Sequence, residues 1–194
     1  DVYKRQTVSG TLMDKETGKA VLADGKEITA STTFTPEKSE GSVDVIFTFD
    51  ASIVAPKTVV AFETLTYKKI QIAVHADIED KDQTVYIPTI RTSAKDNVTG
   101  INHTEADKEV TITDTVTYKG LEVGREYTVS GTLMNQRTGA KILVNGKPVT
   151  ASTTFTAEEK EGSVEVVFTF DATALEGTTT VVFETLYTEN KEVA

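Results

Sequence analysis

With 194 residues and a formal net charge of −10, the chain is too acidic to track nucleic acid or to settle on an anionic membrane surface. It contains no run of about 18 apolar residues, which excludes a membrane-spanning helix. With no Cys it has no disulfide framework, so an extracellular setting would need another source of robustness.

Residues 1–6 match nothing else in the chain and read as a remnant foreign to the fold. From Thr7 the dominant period is two, the signature of half-buried strands. Strands are predicted over residues 7–13, 26–34, 42–49, 58–67 and 70–76. In residues 42–49, Val43, Val45, Phe47 and Phe49 alternate with Asp44 and Thr48. Asp24-Gly25 lies between β-branched runs, the strongest short hairpin signal. Thr17-Gly18 marks a second turn, and residues 36–41 read as a charged loop.

The same order returns at a constant offset of 121. Thr-Val-Ser-Gly-Thr-Leu-Met at residues 7–13 recurs at 128–134, and Thr-Ala-Ser-Thr-Thr-Phe-Thr at 29–35 recurs at 150–156. Strands are predicted again at 110–118, 127–134, 147–155, around Val164–Phe170, and at 178–187. Asn145-Gly146 repeats the hairpin signal, Thr138-Gly139 the second turn, and 157–162 the charged loop. The period is too long for a solenoid repeat and suits whole domains in tandem. No stretch shows a helical period, so the expected fold is all-β, as tandem immunoglobulin-like sandwiches. Residues 7–88 read as the C-terminal part of a first domain, and 89–194 as a second domain lacking its last strand.

The chemistry-bearing residues lie around the seam: His75-Ala-Asp-Ile-Glu-Asp-Lys-Asp-Gln83, then Thr92-Ser-Ala-Lys-Asp96, then Ile112-Thr-Asp114. Together with Val60-Ala-Phe-Glu63 and Val181-Val-Phe-Glu184, they resemble the VaFE repeat of Gram-positive surface proteins, also described as the Thr–Gln (T-Q) ester-bond domain, of CnaB type. The resemblance covers the chain from Thr7 onward. It implies a self-formed crosslink in which a first-strand Thr attacks the carboxamide of a last-strand Gln and releases ammonia. On this sequence the Gln matches Gln83, the Thr matches Thr92, the family's His matches His75, its acid matches Glu63 and Glu184, and its supporting acid matches Asp114. Gln83 and Thr92 fall in different domains, so neither bond is expected to close within this chain in the usual way.

The residue types suit that chemistry. A Thr hydroxyl is a poor nucleophile without a base, and His is the natural one near neutral pH. A carboxylic acid kept protonated in an apolar site can polarise the amide carbonyl. Glu63 and Glu184 both follow Phe inside apolar strands, where an ionised carboxylate is costly to bury.

Blander readings stand beside this one. His103 reads as a surface-loop residue, and the sequons at Asn97 and Asn102 as chance matches. The acidic run 77–82 could offer oxygen ligands to Ca²⁺, but it lacks the Gly and terminal Glu of an EF-hand loop. The Thr-rich strands read as simple β-formers rather than a hydroxyl ligand surface. The resemblance calls for no cofactor and no metal. It implies a monomeric stalk module of a cell-wall-anchored adhesin, stacked on neighbouring repeats and held to peptidoglycan through a C-terminal signal outside this sequence. The rival functions are a repeat that itself contacts host matrix and a hydrolase-like enzyme with a pocket lined by His75 and Glu63.

Overall fold

The repeat of strand-forming segments folds into two units, residues 1–87 and 88–194. The structure, a computed structural model, describes residues 4–194, so the remnant expected at residues 1–6 lies partly outside the described residues. Its last residue, Gln6, opens the first strand.

In the first unit the strands are β1 (Gln6–Asp14), β2 (Leu22–Ala23), β3 (Lys26–Glu27), β4 (Thr29–Phe34), β5 (Thr58–Tyr67), β6 (Ile70–His75) and β7 (Thr84–Tyr86), with a 3-10 turn at Ala51–Ile53. The main sheet runs β4-β1-β5-β6, and β7 pairs with the start of β5. Its core gathers Leu12, Val21, Ile28, Val54, Val59 and Ile87, with Phe47 and Phe49 packed against them.

The second unit holds β8 (Thr89–Asp96), β9 (Val110–Lys119), β10 (Glu126–Asn135), β11 (Leu143–Val144), β12 (Lys147–Pro148), β13 (Thr150–Thr156), β14 (Glu161–Phe170), β15 (Thr180–Thr188) and β16 (Lys191–Glu192). One sheet is β13-β10-β15-β16 and the other β14-β9-β8. Val116, Tyr118, Val166 and Phe168 from the second sheet meet Tyr127, Val129, Leu133, Val182 and Leu186 from the first in one buried core. The architecture is all-β, in two tandem units, the second a two-sheet sandwich.

The hairpin signals form as expected. Two-residue turns join β2 to β3 and β11 to β12, with positive φ at Asp24 and Gly25 and at Asn145 and Gly146. Both central residues of such a turn need that backbone, which Gly and Asn or Asp adopt most readily. The second turn is held by a side chain: Asp14 Oδ1 accepts from the N–H groups of Glu16 and Thr17, and Asn135 Oδ1 does the same for Arg137 and Thr138.

One predicted strand does not form a ladder. Residues 42–49 keep their alternating burial but pair with no strand among the described residues, whereas their copy β14 pairs with β9 over ten positions. The side-chain anchor survives without the ladder: Thr32 donates to the Asp44 carbonyl at 2.7 Å, as Thr153 does to Glu165 at 2.6 Å. Alternation fixes which face is buried; a ladder needs a partner strand as well.

Candidate functional site

The second unit brings Thr92, Asp114 and Glu184 together. Asp114 lies at the centre of β9, opposite Ala94 of β8 and Val166 of β14. Thr92, opposite Val116 and two residues before Ala94, lies on the same face of β8; its side chain is exposed, and its hydroxyl reaches Glu184. Glu184 enters from the other sheet, opposite Gly131. Asp114 is fully buried, and neither of its oxygens nor Glu184 Oε1 meets a hydrogen-bond partner.

Two carboxylates in that position cannot both stay ionised, because each would be desolvated and would repel the other. The Glu184 carboxyl is pushed up to about 8, first by burial and then by the adjoining Asp114, against a smaller opposing pull from the Thr92 hydroxyl. A proton on Glu184 supplies the missing donor to Asp114. The arrangement is thus a neutral carboxylic acid held beside a hydroxyl-bearing strand, able to donate a hydrogen bond to an oxygen placed next to Thr92.

The first unit gathers the other expected residues. His75 closes β6 directly opposite Glu63 of β5. Its Nε2 stands 2.8 Å from Asp80 Oδ2, which orients the ring. The Gln83 carbonyl accepts from the Ala61 N–H at 3.1 Å, fixing Gln83 along β5 two residues from Glu63. Glu63 is half-buried, as Glu184 is, and His75 is exposed; what the second unit adds is the fully buried Asp114 beside its acid. The site residues therefore fall into two sets, Glu63, His75 and Gln83 in one unit, and Thr92, Asp114 and Glu184 in the other.

The acidic run 77–82 is spent on local geometry. Asp77 accepts from the Glu79 N–H, Asp80 from the Asp82 N–H, and Asp80 also pairs with His75. Among the described residues no group of three or more ligating side chains stands where it could hold a metal ion. His103 is exposed in a loop, hydrogen-bonded to Asn102 at 3.0 Å. Surface hollows in the second unit, bordered by Thr104–Asp107 and Thr178–Thr180, and in the first, bordered by residues 34–43, include neither His75 nor Glu63.

Sequence reasoning passed over the glycines inside the shared Thr-Val-Ser-Gly block. Gly131 faces Glu184 and Gly10 faces Glu63. Mid-strand glycine at the same point of both copies was the available signal.

A strand Thr with two acids in one unit, and a His-to-Gln segment in the other, are thus carried on tandem all-β units. The family model for the T-Q ester bond containing domain matches residues 2–87 and again 88–194, and the chain belongs to that family. Among solved structures, the chain is similar to a bacterial adhesin from Mobiluncus mulieris containing intramolecular disulfide, isopeptide and ester bond cross-links. One crystal form aligns at 20% identity and a TM-score of 0.44, over 55% of this chain and 48% of that one. A second crystal form aligns at 20% identity and a TM-score of 0.43 over the same shares. The chain thus spans about half the length of that adhesin. No curated protein sequence matches it.

Proposed function

We propose that each complete domain of this repeat forms one intramolecular ester between a first-strand Thr and a last-strand Gln, and serves as a stalk module of a cell-surface adhesin. The observation that carries the reading is the half-buried Glu184 held against the fully buried Asp114 and the Thr92 hydroxyl. In the reaction the Thr Oγ attacks the Gln side-chain carbonyl carbon and a C–O bond forms. The C–N bond then breaks, and the amide nitrogen leaves as ammonia with the hydroxyl proton. Glu184 hydrogen-bonds the carbonyl oxygen as charge develops on it. A His of the His75 type, oriented by its carboxylate, takes and returns the proton.

The tie would join the two end strands of a domain. Closing a loop of about 100 residues is worth about 4–5 kcal/mol in the chain-entropy model used for disulfides. In a chain without Cys it does the work of a disulfide. The surface location follows from the family, and attachment to the cell wall would come from segments outside this sequence. Glu63 and His75, in the first unit, are the corresponding acid and base for the bond of Gln83.

Intact mass spectrometry on a chain extended by one repeat at each end tests the reading. Each complete domain should weigh about 17 Da less than its sequence, the ammonia lost when an amide becomes an ester. Thr92→Ala should restore the missing mass for the second domain. An unchanged mass in the unsubstituted chain sinks the crosslink.

A further inference from the structure

A Cβ built on Gly131 would stand 2.6 Å from Phe168 Cζ and 3.3 Å from Val182 Cγ1. The tip of the Phe168 ring therefore occupies the space a side chain at 131 would need. Gly131 lies directly opposite Glu184 in the ladder, where facing side chains leave the backbone about 5 Å apart. Phe168 is 1% exposed and sits two residues along β14 from Val166, the residue opposite Asp114. The ring thus lies beside the root of Glu184 on the inner face that carries Asp114.

The first unit builds the same slot. Gly10 faces Glu63, and a Cβ on Gly10 would stand 2.5 Å from Phe47 Cζ. Phe47 belongs to the segment that forms no ladder there, so the ring enters the glycine slot even without strand pairing to carry it. Glycine weakens a strand interior, and its use at this point in both halves fits a need for close approach.

We propose that Gly131 and Phe168 are positioning residues for the Glu184 acid, the ring in the glycine slot covering the carboxyl stem and excluding water from the Glu184–Asp114 pair. The chemical purpose of this device rests on the ester reading; the geometric claim stands without it. The elements packed around Glu184 bring Thr92 from β8, Asp114 from β9, Gly131 from β10 and Phe168 from β14, and Asp114 is the titratable group beside it. Opening the slot lets water reach the carboxyl, which then ionises more easily.

The test titrates Glu184 in this chain by carboxyl ¹³C NMR. Phe168→Leu should lower its midpoint and Phe168→Ala should lower it further. Gly131→Ala, which must push the ring aside, should lower it too. Val149→Ala, a core truncation between β12 and β13, controls for stability alone and should leave the midpoint in place. A folded Phe168→Leu variant with an unchanged midpoint overturns the proposal, as does an equal shift in Val149→Ala. In a chain holding the whole second domain, Phe168→Ala should slow the loss of ammonia at least about tenfold. If the unsubstituted domain never loses ammonia, the ester reading fails and the titration still decides the positioning role.

Discussion

Asp114 and Glu184 meet inside the second unit with three of their four carboxyl oxygens beyond reach of any donor. One shared proton resolves that conflict, and it links folding to pH. Glu184 ionises near 4.5 when unfolded and near 8 when folded. Between those values the folded unit binds more protons, so stability is complete below 4.5 and is lost as pH rises through 8. Calorimetric melts of the second unit should show a falling melting temperature across that window, and Glu184→Gln should flatten the fall. Asp14, Asp50, Asp96 and Asp171 are held below their ordinary range, so their contribution is lost only in stronger acid and does not mask the effect.

Asp114→Asn supplies an N–H donor where a like charge stood. The Glu184 midpoint should fall by NMR titration while the fold is kept, because the nearest repulsive charge is gone. In a complete domain the same change should slow ester formation, since the acid would then be ionised at neutral pH. A midpoint that stays near 8 would show that burial alone holds the proton.

The two units also contain a ready comparison at the ends of β1 and its counterpart β10. Asp14 holds two backbone N–H groups and pairs with Lys57, while Asn135 holds its two N–H groups at 3.0 Å each. Asp14→Asn should therefore keep the turn and lose only the ion pair, at most about 1 kcal/mol because the Lys57 side chain is 44% exposed. Asp14→Ala leaves the N–H groups without their acceptor and should cost about 1–3 kcal/mol. Urea unfolding of both variants checks the order.

Asn145→Asp should be nearly neutral, since Asp24 already makes the same turn with φ 51° against 53°. Gly146→Ala places a Cβ at φ 75° and should lower stability by about 1 kcal/mol, read from thermal melts.

The long strands were legible because their inner positions are apolar. β8 was not among the strands predicted from alternation. Its inner face carries Ile90 and Ala94 but also Thr92 and Asp96, so polar side chains sit where a core residue would reveal the period. Site chemistry erased the pattern that locates strands. For the same reason Thr92 was placed on a strand by family resemblance alone. Glu184 and Asp114 were recognisable as candidates, but their meeting across two sheets depends on packing that no local pattern records. Residues 42–49 show the converse: their alternation is as clear as that of β14, and only the partner differs.

That segment turns an apolar side chain to solvent. Ile46 is 77% exposed there, and Asp44 is the segment's one charged side chain. The net charge of −10 keeps copies apart at low salt, but its reach shrinks to about 8 Å at physiological ionic strength. Self-association of the chain should therefore rise with salt, read by light scattering.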